Sequence, residues 1–365
     1  MEKIKKFVKK EIVLTISGLL AIITMFFVRP SVQYLEYIDF STLAILFCLM
    51  AVVAGFIKSG LFEYLSDKLL KMTSNVKIIG LALSLLCFFC SMLITNDVAL
   101  ITFVPFTIAM LYGVSQKKLV YIIVLETICA NLGSMLTPIG NPQNLYLYTF
   151  YNMSIAQFIK TVLPTSMISL AIIVLLSLLV KSEKINIAQG GKVWLDVKRL
   201  MFYLCLFVLC VATVLRLIDY RLCFLVVLIA LLIFDKKVLV KVDYCLLVTF
   251  VAFFIFVGNI GQVPQISEFL QGIVNGRELG VGILASQVIS NVPSAVMLSG
   301  FTQNGKELLL GVNIGGLGTI IASLASLISY KQYAQSKGAD TGLFMKIFTV
   351  VNVGVLALLY LFAKL

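Results

Sequence analysis

Two stretches of this chain, Asn131-Leu-Gly-Ser-Met-Leu-Thr137 and Asn313-Ile-Gly-Gly-Leu-Gly-Thr319, carry Asn, Gly and Thr at identical spacing inside apolar sequence. Upstream of each lies a second matching element, Thr95-Asn96-Asp97 and Ser290-Asn291-Val292-Pro293-Ser294, which interrupts an apolar run. Where a helix stops in such a run, free N–H groups and a positive dipole end are left to meet an anion or polar solute. Amide, hydroxyl and carboxylate oxygens at the same depth suit a hard cation such as sodium. The bland alternative is that Thr95, Asn96, Ser290 and Asn291 merely cap helix ends. Two tips in corresponding positions of a duplicated unit favour a site instead, because repeated units with broken helices are how secondary transporters build one.

The second element of each half must also unwind. Thr137-Pro-Ile-Gly140-Asn141-Pro142-Gln143-Asn144 cannot continue as regular helix through two prolines and a glycine, and Asn313 to Gly318 holds three glycines. Unwound carbonyls joined by side-chain oxygens then form a second surface facing the tips. On this reading the substrate meets Asn96, Asp97, Asn141, Pro142, Asn144, Ser290, Asn291 and Ser294. The coupling ion meets Thr95, Asp97, Glu126, Asn131, Gly133, Ser134, Thr137, Gly140, Asn313, Gly315, Thr319 and Ser323. Asp97 and Glu126 are the two acids placed at clear membrane depth, with no Lys or Arg beside them, and an intramembrane carboxylate is a functional candidate by default. Asp97 sits at a tip and suits proton carriage or cation binding; Glu126 suits either that role or a buried hydrogen-bonded acid. No cofactor is expected beyond Na+ or H+ as coupling ion, and no other metal.

The elements that position these residues are membrane helices. The chain has 365 residues, 61% of them hydrophobic and 13% charged, with a mean hydropathy of +1.06, which fits an all-α polytopic membrane protein without a soluble domain. Spans of about 20 apolar residues fall near 12–28, 40–57, 119–150, 155–180, 200–217, 222–235, 243–260, 307–328 and 341–362, nine crossings in all. The stretches 78–113 and 279–301 read as re-entrant helical hairpins. Leu61 to Met72 and Pro264 to Val274 read as amphipathic interfacial helices. If the N-terminus is cytoplasmic, seven basic residues (Arg29, Lys160, Arg216, Arg221, Arg277, Lys306, Lys364) lie outside, and the remaining 22 of the 29 lie inside. That bias satisfies the positive-inside rule and puts the C-terminus outside. The organisation is a first inverted repeat at 1–180 (hairpin 78–113, broken helix 119–150), a cytoplasmic loop and linking helix at 181–221, and a second inverted repeat at 222–365 (hairpin 279–301, broken helix 307–328).

Composition also excludes. The net charge of +12 is spread between apolar spans and forms no nucleic-acid face. Cys87 and Cys90 have metal-like spacing, but no second pair and no histidine completes a site. The absence of histidine equally removes His-Glu-x-x-His and any Ser-His dyad, and no Gly-x-Gly-Asp element supports an aspartyl pair, so an intramembrane enzyme is a remote reading.

Thr95-Asn-Asp-Val-Ala-Leu-Ile-Thr-Phe-Val-Pro-Phe106 resembles the Asn-Asp hairpin of arsenite permeases, and Gly133 to Asn144 resembles the Thr-x-x-Gly-x-Pro-x-Asn break of divalent-anion symporters. Across nearly its whole length the chain is thus similar to the ion transporter superfamily, which includes arsenite efflux permeases, citrate and divalent-anion sodium symporters and certain sodium/proton antiporters. In the symporters the tips read Ser-Asn-Thr and contact substrate carboxylates, which places Asn96 and Asn291 at the site. Here Asp97 and Val292 stand where the threonine would be, and Asp97 repels a carboxylate unless protonated or paired with a cation. The resemblance implies elevator-type motion and a homodimer in the cell inner membrane. The expected function is secondary transport of a small anion, an oxyanion or a di- or tricarboxylate, coupled to Na+ or H+. Arsenite-type efflux and Na+/H+ antiport are the alternatives within the fold, and counterflow against a gradient would separate any of them from a passive channel.

Overall fold

The computed structural model describes residues 11–70, 73–184 and 194–365. The basic N-terminus (Lys3, Lys5, Lys6, Lys9, Lys10), Lys71, Met72 and Lys192 lie outside the described residues. Helices run in the order α1 (Ile12–Thr24), α2 (Tyr34–Tyr37), α3 (Phe40–Lys58), α4 (Leu61–Leu70), α5 (Val76–Ile94), α6 (Asn96–Met110), α7 (Gln116–Ser134), α8 (Pro142–Phe150) and α9 (Ile155–Leu178). They continue as α10 (Val197–Val214), α11 (Tyr220–Phe234), α12 (Tyr244–Gly261), α13 (Pro264–Val274), α14 (Glu278–Ile289), α15 (Asn291–Ser299), α16 (Gly305–Ile314), α17 (Leu324–Ala334) and α18 (Thr341–Ala363). No strand occurs among the described residues; Asn75 and Lys184 form one isolated bridge.

Most helix starts are written locally. Asp39, Asn75, Ser154, Asp196, Asp219, Asp243, Asn304 and Asp340 each accept a hydrogen bond from an N–H of the first turn that follows, which satisfies a donor the helix itself cannot. Among the described residues, six helices, α3, α5, α9, α10, α12 and α18, are long and apolar enough to cross a bilayer. Their outward faces expose Met167, Leu175, Val208, Val350 and Leu361, a surface suited to hydrocarbon and costly in water. The protein is a polytopic membrane protein.

The crossing pattern differs in detail from the nine spans read in the sequence. α1 has 13 residues and α11 has 15, short of the roughly 20 a straight span needs, and the segments 119–150 and 307–328 each come as two shorter helices. Conversely α5, read as one arm of a hairpin, has 19 residues and is itself long enough to span. The short lengths follow from turn-forming residues that end helices early, Asp235 after α11 and the glycines after α16.

Packing interlocks the two halves. α3, α10 and α11 bundle together, and the Tyr203 ring sits directly on Gly55, where a Cβ would fall 2.1 Å from it. At the end of that bundle Asp235 accepts from Lys58 at 2.6 Å and from the Tyr203 hydroxyl at 3.0 Å. α5 lies along α7, and α14 along α16. The helices that follow α5 and α14 then reach across: α6 packs against α17, and α15 against α8.

Candidate functional site

Both tips turn through a non-glycine residue held in positive φ, Thr95 at +70° and Ser290 at +74°. L-residues avoid that region unless the surroundings impose it. The imposition is visible: the Asn96 N–H donates to Gly140 O at 3.2 Å, and the Asn291 N–H donates to Ala322 O at 2.9 Å. Each tip is thus tied by its first N–H to the unwound segment of its own half. Neither Thr95 nor Ser290 caps with its side chain, so the alternative that they merely cap helix ends does not hold for these two. The next N–H instead goes to the neighbouring asparagine, Asp97 N to Asn96 Oδ1 and Val292 N to Asn291 Oδ1, both at 3.0 Å.

The breaks occupy 135–141 and 315–323. In the first, Asn141 and Pro142 start α8, with Asn141 Oδ1 accepting from Asn144 N. The Asn144 amide donates to three unwound carbonyls, Ser134, Met135 and Thr137, at 3.0–3.2 Å. In the second, Ser323 accepts from Ala325 N to start α17. The carbonyls here are gathered by Gln287 of α14, whose Nε2 donates to Gly315 O at 2.9 Å and Leu317 O at 3.1 Å, while its Oε1 accepts from Thr319 N. The Thr137 and Thr319 hydroxyls donate to Met92 O and Gln287 O. Glycine is needed where arm and break touch: a Cβ on Gly133 would stand 2.1 Å from Phe88 O, and one on Gly315 would stand 2.9 Å from the Ile283 Cα.

Side chains from both halves meet between the breaks. Asn131 Oδ1 accepts from Asn96 Nδ2 at 3.0 Å and from the Ser323 hydroxyl at 2.9 Å. Asn313 Oδ1 accepts from Asn141 Nδ2 at 3.2 Å, and Asn313 Nδ2 donates to Asn144 Oδ1 at 2.7 Å. All these side chains are buried, and Asn131 Nδ2 has no partner. Asn96, Asp97, Pro142, Gln143, Leu246, Asn291, Val292, Ser323 and Leu324 line a small, partly open recess between the tips.

Of the residues read from the sequence, the structure brings Asn96, Asp97, Asn131, Ser134, Asn141, Pro142, Asn144, Asn291, Asn313 and Ser323 into this network or recess. Others are used differently. The Gly140 carbonyl holds the Asn96 tip, the Ser294 hydroxyl donates back to Ser290 O, and Thr319 is exposed rather than buried at the site. Glu126 is fully buried but lines no part of the recess; the Thr107 hydroxyl donates to its Oε1, and its Oε2 is unpartnered. The sequence marks neither Gln143 nor Gln287 as a site residue: Gln287 stands three residues before the second tip, but Met92 holds that place before the first, so no repeat sets them apart. Glu278 is a further buried acid, accepting from Thr302 at 2.7 Å and from Gly276 N at 3.1 Å; next to Arg277 at a helix start it read as surface. All eight cysteines are free thiols, and no group of acids and cysteines among the described residues forms a metal cluster.

A helical membrane protein with two tips and two breaks around a buried network of asparagines has the build of a solute carrier. The chain belongs to the citrate transporter family, which matches it over residues 2–304, so the second break lies beyond the matched stretch. It is 33% identical over 336 residues to an uncharacterized transporter of Methanocaldococcus jannaschii, covering 91% of this chain and 92% of that one. It is 31% identical over 298 residues to the inner membrane protein YbiR of Escherichia coli, covering 80% of each. A shorter match, 30% over 142 residues, covers 39% of this chain and 29% of the silicon efflux transporter LSI3 of Oryza sativa subsp. japonica. The protein is a membrane transporter of the anion-permease type, not an enzyme.

Proposed function

We propose that the protein is a secondary active transporter of a small oxyanion or carboxylate, coupled to Na+ or H+, with the solute bound between the Asn96 and Asn291 tips and the coupling ion at or near Asp97. The observation that carries this reading is the matched set of hydrogen bonds: tip N–H to break carbonyl, and break threonine to arm carbonyl, at the same offsets in both halves. Such correspondence supports two inverted repeats, 1–180 and 222–365, joined by 181–221, with 78–113 and 279–301 as re-entrant hairpins. The interlocked tips and breaks suit a moving body that carries the site past a static bundle of α3, α10 and α11, in an elevator-type cycle. The excess of basic residues on one side supports a cytoplasmic N-terminus and an outer C-terminus. The Escherichia coli relative, named as an inner membrane protein, supports that membrane as the location, and a homodimer follows from the family resemblance.

Cation/proton antiport is the second reading. Glu126 favours it, a fully buried acid with one oxygen unpartnered. Counterflow in proteoliposomes distinguishes the two, since preloaded solute drives uptake of labelled solute only in a solute carrier. Alanine at Asn96, Asn131, Asn291 or Asn313 abolishes that uptake while leaving a monodisperse protein. Normal counterflow in three of the four variants would show the site to be elsewhere.

A further inference from the structure

The recess between the tips is sealed on one side and thinly covered on the other. The helices that leave it toward 151–160 and 300–306 are closed over their first two turns: Pro142 to Tyr148 of α8 are all buried, as is every residue of α15 except Met297. The elements on the opposite side are not closed. Asp97 on α6, Leu246 and Leu247 on α12 and Leu324 on α17 are half-buried, and Asp243 and Tyr244 at the start of α12 are exposed. Asp243 stands near enough for its charge to be felt at Asp97. Lys236, Lys237 and Lys241 lie just before α12, and Lys331 lies near the end of α17, so the thin side is the one assigned to the cytoplasm by charge.

The seal is aromatic and lies between two bodies. α12 packs against α1 and α3, with the static bundle, and also meets α15. One turn beyond Leu246 it presents Phe250, and a further turn on Phe254. Both rings are buried against the Tyr146 ring of α8, with centroids 6.1 and 5.6 Å away. The Tyr146 hydroxyl shares a hydrogen bond with Ser299 Oγ at 2.7 Å, which fixes the ring to the end of α15. Beyond it the Tyr151 hydroxyl donates to Ser299 O at 3.2 Å and Thr302 O at 3.1 Å. A Cβ on Gly300 would fall 2.5 Å from Val257 Cγ1, so α12 and the end of α15 leave no gap there.

We propose that this structure is the state in which the site opens toward the cytoplasm, and that Tyr146, packed on Phe250 and Phe254, is the outer gate. The inference rests on the transporter reading of the site and the topology given with it. Tyr146 and Ser299 travel with the site, whereas Phe250 and Phe254 stay with α1 and α3. The ring contacts therefore belong to this state and part before a solute can reach the outside. Aromatic pairs contribute beyond the area they bury, so loss of both moves the balance toward the outward-open state by about tenfold.

The test is side-specific labelling of the full-length protein in right-side-out and inside-out membrane vesicles with an impermeant methanethiosulfonate. The background carries alanine at Cys90, Cys205 and Cys245, the thiols that are not buried. Leu324→Cys reports on the recess, and Lys237→Cys on the exposed turn before α12. Both react from the same side, and Leu324→Cys reacts about tenfold or more slowly from the other. Phe250→Ala combined with Phe254→Ala raises the outer reaction of Leu324→Cys by about tenfold and leaves that of Lys237→Cys unchanged. Phe254→Leu, which keeps the core filled, gives a smaller rise in the same direction and provides the check if the double variant does not fold. Reaction of the two reporters from opposite sides overturns the inward assignment, as does Leu324→Cys that reacts equally from both sides or from neither. An outer reaction unchanged by the ring substitutions overturns the gate. Labelling needs no solute, so it holds or fails separately from the counterflow that tests the transporter reading itself.

Discussion

The two tips share a backbone and divide the chemistry. Thr95 and Ser290 adopt nearly the same conformation, with ψ of 149° and 155°, and each following asparagine makes the same two backbone contacts. Beyond that they part. Asn96 extends its amide to Asn131, and the residue after it is Asp97; the residue after Asn291 is Val292. The first break is held by Asn144, from the helix that follows it. The second is held by Gln287, from the arm that precedes it, because Ser326 at the position matching Asn144 is too short to gather carbonyls and leaves its hydroxyl unpartnered. The two tips keep one backbone path and differ in side chain: one presents a carboxyl group, the other an aliphatic one.

Replacing the residues that differ tests that division most sharply. Asp97→Asn abolishes accumulation of solute against a gradient while exchange down a gradient persists, and Val292→Thr leaves accumulation intact. Uptake into proteoliposomes with imposed sodium or proton gradients measures both. If protons drive the cycle, transport responds to pH without sodium; if sodium does, binding responds to sodium at fixed pH. Accumulation by Asp97→Asn with unchanged ion dependence would make the two tips equivalent.

Shape comes next. Gly133→Ala drives a Cβ to within 2.1 Å of a backbone oxygen that cannot yield, and costs about 3 kcal/mol or more. Gly315→Ala meets the facing arm at 2.8–2.9 Å and costs about 1–2 kcal/mol. Melting temperatures of the two variants in detergent rank them, and an equal loss would remove the asymmetry.

The carbonyl holders give a smaller effect than Gly133→Ala. Asn144→Ala strips three carbonyls and Asn313 of a partner, and is expected to cost about 2 kcal/mol. Gln287→Ala strips two carbonyls and one N–H from the break and is expected to cost somewhat less. A double variant of Asn144 and Asn313 that is simply additive would deny the contact between halves.

The breaks were legible in the sequence because glycine and proline act locally: Pro142 starts a new helix after the first break, and the glycines from 315 to 318 keep the second unwound. Asparagine and threonine offsets likewise survive as a visible pattern. What sequence does not carry is direction. Thr137 and Thr319 matched in spacing, yet their hydroxyls turn to the arms at Met92 and Gln287. Asn144 read as a solute contact and spends its amide on the backbone. Gln143, one residue before it, keeps a free oxygen. Which of two adjacent amides gathers the break's carbonyls is decided by the cap at Asn141, a three-dimensional fact. Helix lengths failed for a related reason, since hydropathy marks where a span is apolar and not where its backbone stops.

At Gly133 and Gly315 the arms come within contact of the half-helix main chain, with only the small Ser91 and Ser286 hydroxyls beside the contact. Surfaces meshed that closely cannot slip, because a carbonyl oxygen would have to climb over the strand of atoms facing it. Arm and half-helix are therefore geared: a push delivered to either asparagine tip arrives at the Asn131 and Asn313 cluster as the same displacement.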